Sequence, residues 1–138
     1  MSSIHYDSYT AARTHLKDLL DAADEGRVAT VRREGGYAAV VDAGRLRYAL
    51  AALCPSNAEV VAENGGWSVF IPGLPVAADG TTFDEAVDDM IIALHEYAED
   101  WQDRLRLAPN HANNWGLVQL IELSTDDELR AWLVGDRQ

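Results

Sequence analysis

The sequence predicts an α+β protein built from two small units, and three observations lead there. Two β-rich hairpin signals recur, one turning at Glu34-Gly35-Gly36 and the other at Asn64-Gly65-Gly66. Each hairpin is followed by apolar residues at helical spacing, a short stretch after the first and a long one after the second. Between them the charge changes character. Up to Leu53 there are seven Lys/Arg and seven Asp/Glu, whereas from Cys54 onward four basic residues face sixteen acidic ones. The whole net charge of −12 therefore belongs to the second half.

The elements follow in order. Ile4 to Tyr6 reads as a short strand. Ser8 or Thr10 can cap a helix carrying Ala12, Leu16, Leu19, Leu20 and Ala23, with Gly26 at the position after its end. Val28–Arg33 and Tyr37–Val41 form the first hairpin. Asp42 caps a helix with Leu46, Leu50 and Leu53 on one stripe, stopped by Pro55. A unit of about 50 residues with so few large apolar side chains is marginal alone, so a homodimer or higher oligomer is expected. The breaker run Cys54 to Asn57 sets the expected boundary. Ala58–Glu63 and Trp67–Ile71 form the second hairpin, Pro72-Gly73-Leu74-Pro75 forces a turn, and Val76–Ala78 returns as a third strand. Thr82 with Glu85 makes a capping box. It opens the longest helix, with Phe83, Ala86, Val87, Met90, Ile91, Leu94, Tyr97, Ala98 and Trp101 on its apolar side. After a polar loop from Pro109 to Asn114, Trp115–Leu123 is expected to be a strand. Ser124 with Asp127 caps a last helix bearing Leu129, Trp132 and Leu133. The expected division is thus 1–54, 55–106 and 107–138.

Composition excludes several classes. At 138 residues, 48% hydrophobic and 25% charged, the chain is an ordinary globular sequence. No apolar run approaches a membrane span, and the N-terminus has no basic flank or apolar core of a secretory signal. A single cysteine, Cys54, fits a reducing cytoplasm, and its expected role is that of a small apolar filler at a helix end. No nucleophile elbow, phosphate loop or paired-cysteine spacing occurs. His95 and Glu99 could share a helix face, but two ligands do not make a metal site. Neither an enzyme nor a cofactor or metal is expected.

Charge placement suggests two kinds of partner. A cation-bearing front suits phosphates, while an acidic rear is repelled from nucleic acid and attracted to a basic protein. The candidate phosphate contacts are Arg13, read as lying in the first turn of its helix, Lys17 four residues on, and Arg32 and Arg33 on the hairpin. Neighbours in a strand point to opposite sides, so Arg32 and Arg33 cannot share one groove. A lone surface arginine is commonly just a solvated cation; two or more on one face argue for phosphate.

Ser8-Tyr9-Thr10-Ala11-Ala12-Arg13, the leucines Leu16, Leu19 and Leu20, Glu25-Gly26, Thr30-Val31-Arg32, Gly35-Gly36, Ala38–Val41 and Arg45–Leu50 together resemble the Phd/YefM antitoxins over residues 3 to 52. That resemblance implies a dimeric module that binds operator DNA and represses its own operon, with Arg13 and Arg32 as its DNA-facing arginines. Gly65–Pro75, then Gly80-Thr81-Thr82-Phe83-Asp84-Glu85-Ala86, resembles the HicB family over residues 57 to 104. The loop after Pro75 is a residue shorter than the family's, and no DNA-binding end follows it; the front domain would replace that end. The resemblance implies a toxin-neutralising domain whose acidic helices suit a basic ribonuclease toxin. Trp115, Leu117 and Trp132 are the candidate toxin contacts, since tryptophan anchors are common in interface hot spots; packing into the second domain's own core is the alternative for them. The combined expectation is a cytoplasmic type II antitoxin that binds its cognate toxin and autorepresses its operon by binding operator DNA as a dimer. The alternatives are an orphan transcriptional regulator or a protein-binding adaptor without a toxin, and an enzyme acting through Asp84, Asp88 and Asp89. The class of toxin stays open.

Overall fold

In the computed structural model, which describes residues 2–135, the first elements are β1 (Ile4–Tyr6), α1 (Tyr9–Thr14), α2 (Leu16–Asp24), β2 (Ala29–Arg33), β3 (Gly36–Ala39) and α3 (Ala43–Leu53). Residue 1 of the expected 1–54 segment and residues 136–138 of the expected 107–138 segment lie outside the described residues. Chain contacts divide the protein into Met1–Leu46 and Arg47–Gln138, the division falling inside α3.

In the first unit β1 pairs parallel with β2, and β3 pairs antiparallel on the other side of β2. A parallel neighbour needs a crossover, and α1 and α2 supply it. The sequence reading of one continuous helix is corrected here. The chain breaks at His15 (φ −115°, ψ 32°), whose ring stacks on Tyr6 at 5.1 Å and whose N–H is shared between the Ala11 and Ala12 carbonyls. Apolar spacing runs unbroken across His15, so periodicity alone could not reveal the break. Ser8 caps α1 by accepting from the Ala11 N–H at 3.1 Å. Gly26, at φ +79°, closes α2: its N–H donates to Ala23 O and that of Arg27 to Ala22 O, the paired bonds that a left-handed residue after a helix allows. The core comprises Ala12, Leu19, Ala22, Ala29 and Val31, of which only Leu19 and Val31 exceed alanine in size.

Arg45 completes the α2 terminus. Its guanidinium donates to Ala23 O at 3.2 Å and Asp24 O at 2.9 Å, a cation placed on the negative end of a helix. Arg45→Ala is therefore expected to lower the stability of the first unit by about 1 kcal/mol. Urea unfolding checks this; an unchanged midpoint would show that water replaces the guanidinium at no cost.

The second unit contains a meander of β4 (Glu59–Glu63), β5 (Gly66–Phe70) and β6 (Ala77–Gly80), antiparallel throughout. It also contains the long α4 (Phe83–Asp103), short 3₁₀ turns at Leu105–Leu107 and Ala112–Asn114, then α5 (Trp115–Leu123) and α6 (Asp126–Val134). Val69, Val87, Met90, Leu94, Val118, Ile121 and Leu129 are the largest fully buried groups of its core. The fold is α+β, as the sequence predicts, but the expected strand at Trp115–Leu123 is a helix. A short aliphatic run carries no period that separates strand from buried helix. Here Val118 and Ile121, one turn apart, enter the core, and α5 packs on α4.

Two caps also shift. Thr82 accepts from the Glu85 N–H at 3.1 Å, but the Glu85 carboxylate turns to the N–H and hydroxyl of Thr81, so the expected box is half made. Those bonds hold the Glu85 carboxyl below its ordinary pKa, the Thr81 hydroxyl chiefly. The last helix is capped by Thr125 and Glu128, a complete box one residue on from Ser124 and Asp127. The Thr125 N–H first, and Arg47 beside it, keep the Glu128 carboxyl low as well. Ser124 instead ends α5, its hydroxyl donating to Leu120 O at 2.6 Å. The loop before α5 is fixed by a polar chain: Asn114 Nδ2 donates to Tyr97 Oη (2.7 Å), Tyr97 Oη is hydrogen-bonded to His111 Nδ1 (2.8 Å), and Trp101 Nε1 donates to His111 O (2.8 Å). No helix among the described residues is long and apolar enough to cross a membrane.

Candidate functional site

Two surfaces carry the sequence-predicted residues, one on each unit. On the first, Arg32 and Arg33 each meet their own aromatic ring, yet both reach the rim of one depression, contrary to the expectation that they share no groove. Arg32 lies 5.5 Å from the centroid of Tyr37, its cross-strand partner, on the sheet face that also bears His5 and Thr30. Arg33 lies 5.4 Å from the centroid of Tyr9 at the start of α1. A ring face attracts a guanidinium and limits its rotamers without neutralising it. Both arginines border a broad depression of about 830 Å³ between the Asp7–Thr10 segment and the hairpin end, where Ser8, Tyr9 and Thr10 offer hydroxyls. Asp7 and Glu34 also border it and bring negative charge to its rim.

The helix cations are arranged differently from the sequence reading. Arg13 occupies the last turn of α1, not the first, because the helix ends at Thr14, so no positive helix end supports it. It is exposed and makes no ion pair among the described residues. The break at His15 also removes the one-turn relation between Arg13 and Lys17. Lys17 is held by Asp21 at 2.7 Å, whose hydrogen bond and charge raise the lysine pKa. Sequence reasoning missed Tyr9 and Tyr37; a tyrosine opposite an arginine across a hairpin is the signal that could have found the second. It also missed the chain in which His5 lies 2.8 Å from both Asp7 Oδ1 and Thr30 Oγ1.

On the second unit the three candidate contacts do not act alike. Trp115, the first residue of α5, is 51% exposed. Trp132 is half-buried against the core, with Nε1 donating to Cys54 O at 2.8 Å. Leu117 is half-buried against the same core. Leu117 and Trp132 wall a pocket of about 340 Å³ that also meets Cys54 and Leu74. The acidic face of α4 is partly tied down. Arg130 reaches Asp84 at 3.2 Å and also pairs with Asp88. His95 is paired with Asp126 at 2.9 Å, on α6, and not with Glu99. Asp89, Glu96, Glu99 and Asp103 stay exposed without a cation among the described residues.

No protein-family model and no curated protein matches the chain. A crystal structure from Syntrophomonas wolfei subsp. wolfei, described as an antitoxin part of a proposed toxin/antitoxin system, superposes with a TM-score of 0.78 at 21% identity, covering 96% of each chain. The likeness is one of fold. It extends over both units, so the joining of a β-α-α-β-β-α module to a meander with a long helix is an arrangement found in another protein.

Proposed function

We propose that this chain is the antitoxin of a type II toxin-antitoxin pair, acting in the cytoplasm by binding and not by catalysis. Its second unit neutralises a small basic toxin, and its first unit binds operator DNA as a dimer and represses the operon. The observation that carries the reading is the end-to-end likeness to the Syntrophomonas antitoxin, 96% of each chain. The division of charge agrees with it, since a rear half with sixteen acidic and four basic residues attracts a cationic protein and repels nucleic acid.

The first unit supports a dimer through what it leaves uncovered. Tyr9, Leu16, Leu20, Val28, Tyr37 and Val41 are each more than half exposed, against a core with only two side chains larger than alanine. The Phd/YefM-like and HicB-like assignments of the two halves belong to this proposal. So does the placement of DNA on the arginine-bearing hairpin, with Arg32 and Arg33 held ready by their tyrosines and Arg13 and Lys17 as flanking cations.

DNA binding is tested with the full chain and the DNA upstream of its own gene. Arg32→Ala and Arg13→Ala are each expected to weaken binding and to flatten the log-log salt dependence by roughly 0.9 per lost phosphate contact. Both side chains are exposed, so the fold should be unaffected. Unchanged affinity and slope in both variants would remove the DNA-binding assignment.

A further inference from the structure

The second unit presents a sheet with one covered face. α4 packs on β5 and β6 and takes up Val60, Trp67, Val69 and Ala78 on its side. Alternation sends the remaining residues to the other side. The register aligns Glu59 with Phe70 and Ala77 in one row, and Val61 with Ser68 and Asp79 in the next, with Glu63 at the hairpin end. Val61, Phe70 and Ala77 take no part in the core, and Val61 is 39% exposed. An apolar strip thus lies open across three strands, bordered by Glu59, Glu63 and Asp79.

Among the described residues no ion pair reaches Glu59, Glu63 or Asp79. The sequence has no Lys or Arg between Arg47 and Arg104, so none of the strands can supply one. Ser68 Oγ lies 3.2 Å from Glu63 and 2.6 Å from Asp79, and its single proton can serve only one of them at a time. The other carboxylate faces an oxygen. A guanidinium or ammonium entering from outside would bond both, and its aliphatic stem would cover Val61.

We propose that this open sheet face is where the protein partner docks. Its occupant is a cationic amphipathic segment that places one arginine or lysine between Glu63 and Asp79 and flanking apolar side chains on Val61 and Phe70. A second copy of this chain would bring like charge against like charge, and a nucleic acid would do the same. The inference rests on reading the second unit as the toxin-neutralising half, and it names the surface used.

The test uses the full chain and a blocked helical peptide bearing arginine and leucine on one face. Amide shift changes on titration are expected at Val61, Ser68, Phe70 and Asp79. The double substitution Glu63→Lys/Asp79→Lys should weaken the peptide by about tenfold or more, while Glu96→Lys/Glu99→Lys on α4, an equal change in net charge, should alter it by no more than about twofold. Both pairs are exposed, and circular dichroism checks that both variants stay folded. Equal weakening by the two pairs, shifts centred on α4, or a change in oligomeric mass caused by Glu63→Lys/Asp79→Lys would overturn the assignment. Any of these would leave the antitoxin reading itself standing, since that is judged by toxin neutralisation and not by the surface used.

Discussion

Gly80→Ala, the addition of one methyl group, is expected to destabilise the second unit by about 3 kcal/mol, as overpacking against an unyielding neighbour does. Gly80 ends β6 opposite Trp67, and a Cβ there would stand 2.5 Å from the Ala86 nitrogen and 2.9 Å from the Glu85 carbonyl carbon. Those are backbone atoms in the first turn of α4. They cannot swing aside, because Ala86 and Val87 are fully buried and Thr82 caps the same turn. The helix would have to lift from the sheet. Gly36→Ala is the control: its Cβ would meet nothing closer than 3.9 Å, at Glu34 O, so its melting temperature should barely move. A Gly80→Ala protein that melts with the wild type would show that α4 approaches the sheet less closely than described. The same contact explains the spacing of Gly80-Thr81-Thr82-Phe83-Asp84-Glu85-Ala86. Glycine permits the approach, Thr82 caps, Glu85 turns back on Thr81, and Ala86 is the small residue that fits beneath.

The second large effect separates the two tryptophans. Trp132→Ala should cost about 3 kcal/mol of folding stability, because it empties a half-buried indole site and leaves Cys54 O without its donor. Trp115→Ala removes a ring that is 51% exposed, so stability should change by less than about 1 kcal/mol. If Trp115 meets the partner, its loss should instead speed dissociation of the complex. Melting temperature and dissociation rate, measured together on both variants, distinguish these outcomes. A Trp132 variant that melts normally but releases the partner quickly would return that residue to the interface.

Turns and the long helix could be read from the sequence because their signals are local. Gly35 and Gly65 stand at φ +64° and +77°, a region that favours glycine, and both hairpins turn there. Ala86, Val87, Met90, Ile91, Leu94, Tyr97, Ala98 and Trp101 repeat at a spacing that only a helix buries on one side, and each of them is buried. What escaped depends on distant partners. Trp115–Leu123 is helical because α4 offers a surface for Val118 and Ile121, while the sheet, already a complete meander, takes no fourth strand. His15 breaks its helix through a ring stacked on Tyr6, nine residues earlier and in another element. At the candidate site, alternation could not say that each guanidinium lies over a tyrosine ring, nor that both arginines would reach one depression. Nor could the acidity of the second half reveal which carboxylates Arg130 and Arg104 pair with and which stay exposed.

Toxin neutralisation is tested most directly by growth. The proposal requires a small basic protein encoded beside this chain's gene, to be expressed alone and then together with the chain. The expected result is arrest with the basic protein alone, relief when the full chain is present, and recovery of the two as one complex. A neighbour that is harmless alone, or one that still arrests growth beside the folded chain, would contradict the account.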